Sequence, residues 1–251
     1  MNRVLTAEWI KLRSLRSTWS MLAGLFAVGL GISLLSLNRV HDAYAEAGAD
    51  WDPTRHSMTV YVVAQLILGV LGALVVTSEF ATGLMRTTLT ATPARHRVLA
   101  AKAVLAAAVS LVAGQALMLC VFLVGQWGFA RNGVPRASLG DPGVPAAVAA
   151  GGLYLAVIGL LGVALGTIMR ATAGAIVTLV GIVFIIPGIA GVFPSWIRQV
   201  FVFWPTLGGA AALGTVPDPD FPHPWWGLGG MALGGAAVLA AAFVVLRRRD
   251  V

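Results

Sequence analysis

Charge is what this sequence has least of. Only 11% of its 251 residues are Asp, Glu, Lys or Arg, whereas soluble domains carry about 25%, and 58% are hydrophobic, with a mean hydropathy of +0.87. That composition excludes an ordinary soluble globular domain. Lysine is scarcer still, occurring only as Lys11 and Lys102 among abundant Ala, Gly, Val and Arg, a bias typical of a high-GC genome. Cysteine is nearly absent. The single Cys120 falls in an apolar stretch, which rules out an intrachain disulfide and a thiolate metal cluster and leaves a small core residue. The net charge of +7 has no basic run interleaved with aromatics, so no nucleic-acid partner is expected. The four histidines, His41, His56, His96 and His223, have no second ligand at helical spacing, so no metal site is expected either.

What fills the chain instead is long apolar stretches. About 20 residues at 1.5 Å each cross a hydrocarbon layer of roughly 30 Å. Six segments qualify, at about 18–38, 58–78, 103–128, 146–169, 171–193 and 227–246. None of them contains Asp, Glu, Lys, Arg or His, which argues against proton relays, ion-coupled transport and intramembrane proteolysis. The first stretch is longer than a signal-peptide core and lacks a nearby Ala-x-Ala site, so it is read as a retained span. The fourth and fifth, separated by little more than Arg170, form a tight helical hairpin. With the N-terminus inside, twelve Lys and Arg face the cytoplasm (Arg3, Lys11, Arg13, Arg16, Arg86, Arg95, Arg97, Lys102, Arg170 and Arg247 to Arg249). Five (Arg39, Arg55, Arg131, Arg136 and Arg198) then face outward, which predicts a multi-pass plasma-membrane protein with both termini cytoplasmic. Gly162-x-x-x-Gly166 and Gly230-x-x-x-Gly234 have the small-residue spacing that lets helices approach closely, more often within a chain than between chains.

Three pieces lie at the membrane edge. In the leading segment Leu5, Trp9, Leu12 and Leu15 recur at helical spacing, predicting an amphipathic interfacial helix over residues 1–17, with Glu8 and Arg16 at the margins of its apolar stripe. Residues 79–102 are far longer than a turn requires. There Leu84, Met85, Thr88 and Leu89 share one helical face, leaving Arg86 and Thr90 turned away from it; Pro93 stops the helix, and a basic re-entry leads into the third span. Before the last span, in the segment 194–226, Trp196, Ile197, Val200, Phe201 and Trp204 repeat at helical spacing and are followed by Pro217, Pro219, Pro222 and Pro224. That pattern predicts a short interfacial or re-entrant outer element ending in an aromatic belt at Trp225 and Trp226. Pro187-Gly188 predicts a kink in the fifth span.

Along its whole length the chain resembles the membrane subunits of ABC exporters of the ABC-2 class. The resemblance rests on "EWIKLRSLRSTW", on six spans with both ends inside, and on "SEFATGLMRTTLTATPARHRVLAAK". The pattern carried over there is Glu79-Phe80, Thr82-Gly83, Arg86, Leu89, Pro93, Arg95 and Lys102, and the terminal "LRRRDV" is similar to endings found in actinobacterial members. The resemblance implies an all-α membrane protein forming a single permease domain, whose loop after the second span holds a coupling helix against a nucleotide-binding subunit. On that reading Glu79, Thr82, Gly83, Leu84, Met85, Arg86, Leu89, Pro93, Arg95 and Arg97 form the ATPase-coupling surface. Glu79 has two alternative roles, docking the partner or pairing with Arg86 or Lys102 within the chain. There is no G-x-x-x-x-G-K-[ST], so the chain is expected to hold no cofactor and not to be an enzyme by itself; ATP and Mg belong to a partner ATPase subunit. A second permease copy, or a related permease, and the lipid bilayer are the other implied partners. The expected activity is outward movement of a hydrophobic or amphipathic molecule such as a lipid, peptide or antibiotic. Two competing readings are a non-transporting membrane anchor of the immunity type and a lipid-modifying membrane enzyme using His41 or His56 with Asp42, Asp50 or Asp52.

Overall fold

The computed structural model describes residues 2–91, 94–189, 192, 204–216 and 223–248, with the side chains of all but Asn2, Arg86, Leu89, Ala91 and Pro205. Among these residues the regular structure is helical, without strands. Chain order gives α1 (Asn2–Ser14), α2 (Arg16–Ser36), α3 (Val40–Ala47), α4 (Pro53–Ser57), α5 (Tyr61–Ala81) and α6 (Leu84–Ala91). It continues with α7 (Arg95–Arg131), α8 (Val144–Met169), α9 (Thr172–Val180), α10 (Ile186–Ile189), α11 (Pro205–Ala211) and α12 (Pro224–Arg248). Among the described residues six helical segments are long and apolar enough to cross a membrane: Arg16–Asp50, Tyr61–Ala81, Arg95–Arg131, Val144–Met169, Thr172–Ile189 and Pro224–Arg248.

The helices overrun the apolar stretches that announce them. The third span was expected from residue 103, yet α7 begins at Arg95 and runs 37 residues, about 55 Å at the α-helical rise. No proline interrupts it, and it ends where Gly133 takes a positive φ of 66°. The basic re-entry is therefore helix rather than loop, and Lys102 lies two turns inside it. At its far end α5 likewise carries Glu79 within the helix. Ionisable side chains absent from the apolar stretches thus belong to the membrane helices after all.

The central element is α8, which packs against α5, α7 and α12 and has 78% of its apolar window buried, against 17% for the windows of the first and fifth spans. Glycine makes its crossing with α5 close. A methyl group on Gly162 would overlap the Gly69 carbonyl, one on Gly72 would overlap the Gly159 carbonyl, and one on Gly166 would sit 2.9 Å from the Ala73 carbonyl oxygen. Gly162-x-x-x-Gly166 is consequently an intrachain contact, whereas Gly230 meets nothing within 4 Å.

Just ahead of the Pro187-Gly188 pair that predicted a kink, the fifth span carries a π-helical turn, Gly181–Ile185, between α9 and α10. Pro187 has no N–H to give to the helix ladder and its ring crowds the preceding turn, which a widened turn relieves. The carbonyl of Ile182 in that turn accepts a 2.9 Å hydrogen bond from the Trp204 indole N–H. Trp196 and Phe201, named with Trp204 in the outer element, lie outside the described residues.

On the opposite side of the bundle from α6, one carboxylate fastens distant segments. Asp52 is the N-cap of α4, accepting from the Thr54 and Arg55 N–H groups, and it also accepts from the N–H groups of Thr215 and Val216 and from the Thr215 hydroxyl. Gln126 of α7 donates to the Pro53 carbonyl at 3.0 Å and accepts from the Ala137 N–H at 2.8 Å. The loops on that side are thereby tied to the helices beneath them.

Candidate functional site: a charged junction at the α6 end of the bundle

The two lysines of the chain meet at one point. Lys102 Nζ lies 2.7 Å from Glu8 Oε2 and 2.8 Å from Glu79 Oε1, and it donates to the Val75 carbonyl at 3.2 Å. Lys11 Nζ lies 2.9 Å from Glu8 Oε1 and 3.0 Å from Glu79 Oε1, and it reaches Thr88 Oγ1 at 3.4 Å. An ammonium group has three N–H donors, and each lysine has three acceptors. Two carboxylates and two ammonium groups close a neutral ring joining α1, α5 and α7, with α6 attached through Thr88. Glu79 Oε2 is buried and receives no hydrogen bond among the described residues.

The halves of the ring differ. Lys102 is 2% exposed and holds the shorter contacts, whereas the Lys11 side chain is 35% exposed. Burial opposes the charge on Glu8, but the Lys102 ammonium, with Lys11 adding to it, holds the carboxyl below its ordinary range. Burial likewise opposes the charge on Lys11, and its hydrogen bonds and attraction to Glu8 and Glu79 hold its pKa above the usual lysine value. A buried charge of this kind persists only when paired and hydrogen-bonded, which this ring achieves.

The ring gives α1 an inward face beside its apolar stripe. Within the stripe Trp9 and Leu15 are 44% and 47% exposed, Leu5 is half-buried and Leu12 is buried. The inward face centres on Glu8, only 5% exposed, which hydropathy had put at the margin. Lys102, 94 residues further along the chain, makes that burial possible. The available signal was chemical: a chain with two lysines places one of them three residues after Glu8.

The coupling segment folds as a short helix. Gly83, at φ 71°, makes the tight turn between α5 and α6 that a residue with a side chain adopts only with strain. Thr82 and Leu84 are exposed, while Met85 is 3% exposed among Val76, Leu99, Val163 and Leu246. Arg95 Nη1 donates to the Leu246 carbonyl at 3.3 Å, so the end of α12 lies at this same edge, and Arg97 is exposed. Glu79 pairs with Lys102, the second of its two expected roles. Pro93 and the side chains of Arg86 and Leu89 lie outside what is described.

A family model described as ABC-2 family transporter protein matches residues 4–188, a stretch that contains every member of the ring and the helices α2 to α9. The chain belongs to the ABC-2 transporter family. No curated protein matches it. As an ABC-2 permease it is a multi-pass membrane protein, the membrane subunit of a transporter whose family in general works with an ATPase partner. Membership also bears on the lipid-modifying alternative, because such subunits are typically not catalytic. The geometry agrees in one respect: Asp52 is committed to five hydrogen bonds, and His56 is packed against Trp51 and Phe129. Burial holds His56 below the usual histidine pKa.

Proposed function

We propose that this ABC-2 permease moves a hydrophobic or amphipathic molecule outward across the plasma membrane, driven by a separate ATPase subunit that binds ATP and Mg and docks on residues 79–97. The observation that carries this reading is the bond from Lys11 to Thr88 of α6, because the same ammonium also grips Glu79 at the end of α5 and Glu8 of α1. A displacement of α6 by a closing ATPase is then delivered at one point to the leading helix and the second span, and through Lys102 to the third. In this scheme α6 is the coupling helix, α1 is the interfacial lever, with Trp9 and Leu15 turned to the membrane surface, and Trp204 braces the outer element against the kinked fifth span.

Two permease copies form the working unit, with the translocation path between them. The largely unburied windows of the first and fifth spans leave surface for such a second copy as well as for lipid. Both termini are cytoplasmic, on the ATPase side; the excess of Lys and Arg sets the direction, and the Arg95–Leu246 bond supports a common side for α6 and the end of α12. The decisive experiment co-expresses the permease with a Walker A ATPase sought in the adjacent reading frames. Arg86→Glu is expected to abolish co-purification and ATP-dependent export together. Wild-type association and export in that variant would remove Arg86 from the docking surface.

A further inference from the structure

Between Ser14 and Arg16 the chain breaks its helix: Leu15 is extended, with φ −77° and ψ 118°, so α1 meets α2 at an elbow. Beneath that elbow lies a cavity of about 490 Å³, bounded by α1, the start of α2, α5, the beginning of α6 and α7, within the ~300–1,000 Å³ typical of small-molecule sites. One wall is a stripe of α5 formed by Leu71, Leu74, Val75 and Ser78 and continued by Thr82 just past its end. From Leu71 to Thr82 that stripe runs about 16 Å along the helix axis. Met21 and Leu105 line the cavity with the leucine end of the stripe, whereas Lys11, Ser14, Ser17 and Thr18 give its other end polar groups. A greasy slot with a polar mouth, opening at a membrane edge, has the shape and polarity gradient of an amphiphile.

Charge selects the headgroup. Both oxygens of Glu8 and one of Glu79 are occupied by the two lysines, which leaves the ring neutral. Arg13 and Arg16 do not line the cavity, but each lies between two residues that do, Leu12 and Ser14 or Leu15 and Ser17; both are exposed and have no acidic partner among the described residues. The lining is therefore neutral and the rim beside the elbow cationic, and a basic rim between membrane helices suits an anionic lipid head. We propose that this cavity binds one anionic phospholipid, with an acyl chain along the α5 stripe and the phosphate at the Ser14–Ser17 elbow under Arg13 and Arg16. Glu79, Thr82 and Leu84 of the expected ATPase-coupling surface share the cavity's lining, and binding is tested on the permease alone.

The test uses the full-length chain in mild detergent with phosphatidylglycerol and phosphatidylcholine of identical acyl chains, read by native mass spectrometry. Wild type is expected to retain one phosphatidylglycerol per chain, favoured about tenfold, the equivalent of one charge-assisted hydrogen bond. Leu74→Trp and Met21→Trp fill the slot without touching the arginines and should lose the retained lipid; Arg13→Gln with Arg16→Gln should keep a lipid but lose the preference. A phosphatidylglycerol with a photoreactive acyl chain should label wild-type peptides containing Met21 and Leu71 to Val75, a readout that needs no variant. Equal retention of the two lipids, or labelling confined to other segments, overturns the proposal. A preference that survives both tryptophan variants overturns it too, assigning the effect to the surface charge of α1 alone.

Discussion

Replacing Lys102 by methionine keeps most of the side-chain length and deletes one charge from a site that is 2% exposed. The two carboxylate oxygens that share its ammonium then face each other across at most about 5.5 Å, the two contacts laid end to end. At an effective dielectric of 20, two unit charges at that distance repel by about 3 kcal/mol. Removing one partner of a buried pair costs about 3–5 kcal/mol in comparable sites. Lys11 still bridges Glu8 and Glu79, so the lower figure applies. For a chain of this size, about 3 kcal/mol corresponds to a fall of roughly 6–12 °C in melting temperature. The check is the apparent Tm of the detergent-purified chain, followed by circular dichroism. Glu8→Gln in the Lys102→Met background removes the facing charge and should restore a substantial part of the loss. A single variant melting within about 1 °C of wild type, or a double variant no better than the single, would refute the claim that this ring is a paired, buried structure.

Two further outcomes follow from geometry already described. Gly162→Ala drives a methyl group into the Gly69 carbonyl of α5, which cannot swing aside as a side chain would; the cost is about 1–3 kcal/mol or more, read as a lower Tm and less folded protein in the membrane fraction, while Gly230→Ala, facing open space, is the neutral control. The ring should also set a pH window. Because the folded Glu8 pKa is lowered, its contribution is complete above the reference value of 4.5 and disappears as pH falls below that value through the folded pKa. The raised Lys11 pKa gives a contribution complete below 10.5 and lost as pH rises through the folded pKa. Tryptophan fluorescence from Trp9 and Trp19 should report α1 loosening only outside that window, and Glu8→Gln should abolish the acid limb.

The span count was legible because twenty apolar residues have few other uses, and the fifth-span irregularity was legible because Pro187 cannot join a helix ladder. Helix ends were less so. Hydropathy marks where lipid contact stops, not where hydrogen bonding stops, which is why α7 begins at Arg95 rather than at residue 103. The inward face of α1 was not legible for a related reason: a stripe drawn through Leu5, Trp9, Leu12 and Leu15 treats Glu8 as marginal, and only a partner brought from α7 makes a carboxylate an inward residue. The Glu79–Lys102 pair was visible as one of two options, since an acid and a base at the ends of consecutive membrane helices fall at the same level when the helices are antiparallel. Glu8 was the missing member because long-range pairing leaves no local pattern in a chain.

The match to the ABC-2 family stops at residue 188, yet the last helix is not a loose addition to what precedes it. Just before α12, Thr215 and Val216 are clasped by Asp52; near its far end the Leu246 carbonyl is taken by Arg95; between those points it lies along α8. Residues of the matched portion thus hold the unmatched stretch at two points, residues 215 and 216 ahead of α12 and the end of α12 itself, as two hinges hold a door to its frame. Variation in α12 is consequently free along its outward side and constrained near Leu246, so a segment covering 215–248 transplanted from another permease must bring a carbonyl to Arg95 and two N–H groups to Asp52 to seat in this bundle.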